Sequence, residues 1–168
     1  MIKLFDDNMN EIQMDQNEYQ DRLFPLDNFS AFGLIMDEKY FQTSEHAFQY
    51  LKFSDTSIMT ANLIRESFSP NKARQIAHEN RKVKRPDWDE VKYDLMERVI
   101  KLKIDANPTV RQALLNTGDY IIAECCLDED TEWGIDKEKQ GENRLGKILM
   151  KIRYELNKEL ENDAPIKR

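Results

Sequence analysis

The strongest constraint on this chain is the helical spacing of apolar residues in its second half. Val91, Leu95, Val99 and Leu102 follow one another at intervals of three and four, and Ile148, Leu149, Ile152 and Leu156 do the same near the C-terminus. Such intervals line up side chains on one face of a helix, so each run predicts an amphipathic helix. The punctuation agrees. Thr43-Ser44, ahead of Glu45-His46-Ala47-Phe48-Gln49-Tyr50-Leu51-Lys52-Phe53, supplies hydroxyl caps and an acid where free backbone N–H groups need acceptors. Ser69-Pro70 opens a short helix through Ala73 and Ile76, and Asp87 after Pro86 is placed to cap the helix of Val91. Asn107-Pro108-Thr109 marks a break before a helix over 110–115, which Thr117-Gly118-Asp119 ends.

Strands are few. The first forty residues mix short apolar pieces, around residues 2–5 and 40–42, with polar breaks, which suits short strands and loops. Tyr120-Ile121-Ile122-Ala123-Glu124-Cys125-Cys126 predicts a strand emerging from the core. The expected fold is α+β, a small and mostly helical single domain over residues 1–168, with no repeat and no Pro/Gly/Ser linker.

Composition narrows the function. Aromatics make up 10% of the chain, enough apolar surface with the Leu, Ile and Met runs to offset chain entropy, so disorder is not expected. No apolar run approaches the ~20 residues of a membrane span, and the N-terminus lacks an apolar signal core, so a cytoplasmic protein without membrane contact is expected. The only cysteines, Cys125 and Cys126, are adjacent and give neither a disulfide framework nor a zinc spacing. With His46 and His78 the only histidines, neither a metal nor a cofactor is expected. The formal charge of −7 disfavours extended, sequence-reading binding to nucleic acid, with a local exception at Arg81-Lys82-Val83-Lys84-Arg85 that also fits a solvated charge run.

The sequence has no nucleophile elbow, P-loop, dinucleotide fingerprint or HExxH motif. Its polar chemistry is spread over three segments. Glu45 and Lys52 are seven residues apart, which returns them to nearly the same helix face about 10 Å apart along the axis. They can line one cleft without pairing, although two exposed charges would read the same way. Asp128-Glu129-Asp130-Thr131-Glu132-Trp133-Gly134 crowds four acids beside an aromatic, and any acid held in a dry pocket becomes a general acid or base. Gly141-Glu142-Asn143-Arg144-Leu145-Gly146 precedes the last helix, where backbone N–H groups, Asn143 and Arg144 suit a phosphate or ribose oxygen, or a plain polar cap.

Together with Asp27-Asn28-Phe29, Arg85-Pro86-Asp87-Trp88-Asp89-Glu90-Val91-Lys92 and Leu114-Leu115-Asn116-Thr117-Gly118, these segments stand in the order of the YbiA-like NADAR family, which the chain resembles over residues 24–156. It departs from the family pattern at Ala77-His78-Glu79, where many members carry Gly-Arg, and at Ile135-Asp136 after Trp133-Gly134.

The resemblance implies an N-glycosidase that cuts a sugar–base bond. It implies two substrate classes: ADP-ribose on guanine in nucleic acid, and ribosylamino-pyrimidine phosphates of riboflavin synthesis. In this scheme Lys52 attacks the sugar C1, Glu45 orients the ribose or activates water, and Asp130 moves the proton at the leaving base. Asn28, Phe29, Gln49, Trp133, Gly134, Asn143 and Arg144 hold base, ribose and phosphate. A pocket that binds NAD or ADP-ribose without turnover is a further reading, which the presence of both Glu45 and Lys52 disfavours. Trp88, ahead of a regular amphipathic helix, is expected in packing.

Overall fold

The computed structural model describes residues 1–125 and 131–163. In chain order the elements are β1 (Ile2–Phe5), α1 (Gln16–Arg22), β2 (Leu34–Met36), β3 (Lys39–Phe41), α2 (Ser44–Leu51), α3 (Ile58–Arg65), α4 (Pro70–Glu79), α5 (Trp88–Ala106), α6 (Pro108–Leu115), β4 (Ile121–Glu124) and α7 (Arg144–Asp163). Short 3-10 turns lie at Phe24–Leu26 and Arg81–Val83. The fold is α+β, as expected. Helix α1 has no apolar period in the sequence to announce it, because it buries no side chain. Its signal is a capping box: the Asp15 carboxylate accepts the N–H groups of Asn17 and Glu18, and Glu18 accepts that of Asp15. Among the described residues no helix is long and apolar enough to cross a membrane.

The chain forms two compact units, one of Met1–Asp27 with the chain from Arg111 onward, the other of Asn28–Val110. In the first, β1 pairs antiparallel with β4, Ile2 opposite Glu124 and Phe5 opposite Ile121. Phe5, Ala123 and Ile135 form a small core beneath them. Helix α7 approaches β4 closely. A Cβ on Gly146 would stand 2.1 Å from the Ile122 carbonyl oxygen, so only glycine fits. Arg153 of α7 is buried and donates from Nη1 to the Thr117 hydroxyl at 2.7 Å and to the Tyr120 carbonyl at 2.9 Å. This ties α7 to the turn where Gly118, at φ +55, ends α6.

The second unit is built around α2, which packs against α3, α4 and α5, while β2 packs on α5 and pairs with β3 in a hairpin. Asp37 and Glu38 turn that hairpin with φ of 49 and 61, the left-handed values a two-residue loop demands. Ser57 and Ser69 cap α3 and α4.

Helix α5 corrects two expectations. Asp87 occupies the capping position, but its carboxylate is held by Arg85, with Nε at 2.6 Å and Nη2 at 2.8 Å, and caps nothing. The fully buried stripe runs through Met96, Val99, Ile100, Lys103 and Ile104, and of the expected Val91, Leu95, Val99 and Leu102 it keeps Val99, the other three being half-buried. A lysine in the stripe disguised it. Lys103 is 1% exposed, and its Nζ donates to the Ser30 hydroxyl at 2.8 Å. Four residues on, the Asn107 amide donates to the carbonyls of Lys103 and Gly33. The far end of α5 thus fixes the loop that follows Asn28 and Phe29.

Candidate active site

Every residue of α2 is buried, including Ser44, Glu45, His46 and Gln49. Polar side chains in such a place must find partners or be held for a ligand. Thr43 starts the helix, its hydroxyl oxygen accepting the His46 N–H at 3.3 Å. His46 Nε2 lies 3.1 Å from the Ser67 carbonyl, which can only accept, so the ring proton sits on Nε2 and Nδ1 accepts from the Thr43 hydroxyl at 2.8 Å. Burial holds this imidazole below its ordinary range, with the Ser67 carbonyl pulling the other way.

Glu45 follows directly. Its N–H donates to the Asn28 carbonyl at 3.1 Å, which brings the 28–29 segment to the start of α2. Its carboxylate accepts Gln49 Nε2 at 2.8 Å and lies 3.7 Å from Arg74 Nε. The Arg74 guanidinium in turn stands over the Phe29 ring, 5.7 Å from its centroid. Asn28, Phe29, Glu45 and Gln49 therefore come together as the sequence suggested, joined by an arginine that it did not single out. Arg74 carried no signal, being one exposed cation on a polar helix. Because Gln49 must turn its amino group to the carboxylate, its Oε1 faces elsewhere, buried and without a partner, as are Asn28 Oδ1 and Ser44 Oγ. Each such orphan costs roughly 1–3 kcal/mol, an expense more usual in sites than in cores.

Lys52 lies at the other end of α2. The regular helix stops at Leu51, one residue short of it, because Lys52 and Phe53 switch to bonds with Gln49 and Tyr50, three residues back. Lys52 keeps helical dihedrals as the C-cap. Its ammonium stands 5.6 Å from the Phe48 ring centroid and 5.1 Å from that of Trp88, and the two rings lie 4.9 Å apart. The Lys52 carbonyl accepts the Arg85 N–H at 2.9 Å, and Arg85 is braced by Asp87 and Asp55. Trp88 is packed, as expected, and it is also the wall against which Lys52 lies.

The other proposed residues belong to the first unit. The carbonyl of Trp133 accepts the Leu145 N–H, that of Gly134 accepts the Asn143 N–H, and that of Glu132 accepts the Arg144 N–H, each at 3.1 Å. The backbone donors at the start of α7 that the sequence offered to a phosphate are thus spent on residues 132–134. Asn143, at φ 49, donates Nδ2 to the Ile122 carbonyl at 2.9 Å and accepts the Glu124 N–H at 3.3 Å, so its amide joins β4 to α7. Arg144 pairs with Glu142 at 2.7 Å. Cys125 is a half-buried free thiol packed on the Phe5 core, and burial pushes it up. Asp130, Asp128, Glu129 and Cys126 lie outside the described residues.

The NADAR domain family matches residues 7–157. The N-glycosidase YbiA of Escherichia coli (strain K12) is 33% identical over 129 residues, covering 77% of this chain and 79% of that protein. The N-glycosidase Npun_R5314 of Nostoc punctiforme is 34% identical over 132 residues, covering 77% and 83%. The riboflavin biosynthesis protein PYRR of Zea mays, a chloroplastic protein, is 32% identical over 77% of this chain but 23% of its own length. The NMR structure of E. coli YbiA superposes with a TM-score of 0.73 at 30% identity, over 86% of this chain and 84% of that one. On the family match, the identities and the shared fold, the chain belongs to the NADAR domain family.

Proposed function

We propose that this protein is an N-glycosidase that removes ADP-ribose from ADP-ribosylated guanine in nucleic acid. The observation that carries the reading is the placement of a carboxylate held by Gln49 and Arg74 on the buried helix α2, and of a lysine at that helix's C-cap held against two aromatic faces. The names of the bacterial relatives support the reaction type.

Breaking a sugar–base bond develops positive charge at C1 and negative charge on the departing nitrogen, so the site needs a nucleophile or anion and a proton donor. Lys52, once deprotonated, attacks C1 through Nζ as the C1–N bond breaks and the base leaves with a proton. Asp130 is the sequence-based choice of donor. The ring oxygen then takes a proton as the sugar opens, leaving a C1=Nζ iminium. Water adds at C1, the C–Nζ bond breaks as the new hydroxyl becomes the C1 aldehyde and its proton passes to the amine, and the freed ring hydroxyl adds back to C1 to close the sugar as a hemiacetal. Glu45 orients the ribose hydroxyls or takes the proton from that water. The buried acceptors Asn28 Oδ1 and Gln49 Oε1 suit ligand N–H or O–H groups, with Phe29 as a flat apolar neighbour.

A second reading is hydrolysis of ribosylamino-pyrimidine phosphates, favoured by the riboflavin biosynthesis names of relatives from Zea mays and Vibrio vulnificus. Mass spectrometry of products from an ADP-ribosylated guanine oligonucleotide and from a ribosylamino-pyrimidine phosphate separates the two. ADP-ribose released from the first and lost with Lys52→Ala supports the proposal, and turnover of only the second moves the protein to the riboflavin intermediates.

A further inference from the structure

We propose that the exposed basic ridge formed by α4 and the turn after it, from Arg74 to Arg81 and Lys82, is a docking surface for the backbone of a single-stranded nucleic acid. This rests on the proposed activity for its biological sense, but not for its geometry.

The net charge of −7 conceals an uneven distribution. Residues 28–110 carry 13 Lys and Arg against 12 Asp and Glu, and the remaining residues carry 12 against 20. Within residues 72–85 the count is six basic to one acidic, Glu79. The whole negative excess therefore lies outside the unit that holds Glu45 and Lys52, so the acidity of the chain is no obstacle to a polyanion on this surface.

The cations differ in how far they are committed. Lys84 is paired with Asp89, and Arg85 is neutralised by Asp87 and Asp55. Lys82 is exposed and makes no ion pair among the described residues. Arg81 is exposed, and among the described residues its guanidinium bonds only to the His78 carbonyl, at 3.3 Å, which holds it at the end of α4. Arg74 and His78 are four residues apart and so share one face of the helix, about 6 Å apart along its axis. Together they form a row of donors that begins at Arg74, beside Glu45 and over Phe29, and ends at Lys82.

Such a row suits sequence-independent contact with two or three successive phosphates. At the opposite end of α4, Phe68 is 83% exposed immediately before the Ser69 cap, where an unstacked base has a ring to lie on. A single strand fits better than a duplex, since a base carrying ADP-ribose must leave the stack to be cut.

The test uses the full-length protein, an unmodified single-stranded oligonucleotide of about 12 nucleotides, and fluorescence anisotropy across a salt series. The double variant Arg81→Ala/Lys82→Ala should weaken binding about tenfold at low salt and reduce the slope of log K against log salt by about 1.4, since each neutralised phosphate contributes about 0.7. An Arg81→Lys/Lys82→Arg variant should restore both. On ADP-ribosylated substrates, the alanine variant should lose about tenfold in kcat/KM with the oligonucleotide and keep its rate with the mononucleotide. Unchanged affinity and slope in the alanine variant would overturn the proposal. Oligonucleotide binding that depends on Arg81 and Lys82, without ADP-ribose release from either substrate, would uphold the ridge and remove the activity.

Discussion

Glu45 and Gln49 stand one helical turn apart inside α2, and the Gln49 amide donates to the Glu45 carboxylate at 2.8 Å. That bond orients a buried acid and at the same time fixes which way the glutamine oxygen points. Glu45→Gln should lower kcat by about 10²–10⁴ if the carboxylate moves a proton in the reaction. Gln49→Ala should do less to kcat and more to KM, because it removes one of the groups that orient the acid together with one buried acceptor. Steady-state kinetics on the two variants checks the split, and a loss below tenfold for Glu45→Gln would place Glu45 outside the chemistry.

His46 predicts a pH dependence of stability. Its folded pKa lies below the unfolded value, so on acidification the unfolded chain takes a proton before the folded one does. The contribution is complete above about pH 6.5 and is lost as the pH falls towards the folded value, at no more than about 1.4 kcal/mol per pH unit. Denaturant titrations at pH 7 and 5.5 should show wild type losing more stability on acidification than His46→Gln. Equal losses would mean that the ring is not held neutral.

Trp88 should matter to Lys52 as well as to the core. Removing the aromatic face takes away roughly 1–2 kcal/mol of attraction for the cation and one of the two walls that position the amine. Trp88→Leu is therefore expected to slow capture of Lys52 by substrate, whereas Trp88→Phe, which keeps a ring beside Phe48, should slow it less. A melting curve on each variant separates loss of packing from loss of positioning.

Asn143 predicts an effect on stability. Replacing it by Ala leaves the Glu124 N–H and the Ile122 carbonyl without their amide partner, at a cost of about 1–3 kcal/mol. Asn143→Asp keeps the acceptor for Glu124 and should recover part of the loss. Chemical denaturation of the three proteins checks the order.

The helices around the site were legible where capping and apolar period agreed. Thr43 and Ser69 start α2 and α4 as their hydroxyls suggested, and Gly118 ends α6. Elements failed to show where one of those signals was missing. Helix α1 has caps but no apolar face, and the true core stripe of α5 runs through a buried lysine that sequence patterns count as surface. In the site, the quartet of Asn28, Phe29, Glu45 and Gln49 came from family resemblance and is gathered by α2. Arg74 was invisible, since a lone exposed arginine gains meaning only once Glu45 and Phe29 are seen beneath it. For the converse reason the sequence marks Trp88 for packing alone, since its partner Lys52 is 36 residues away along the chain.

The most direct test of the central claim is borohydride capture during turnover of an ADP-ribosylated guanine oligonucleotide, followed by peptide mass spectrometry. The account predicts a reduced ADP-ribose adduct on Lys52, with no adduct and no turnover in Lys52→Ala. Turnover with nothing captured on Lys52 would contradict covalent catalysis by this lysine and leave direct attack by water, with Lys52 acting through its charge alone.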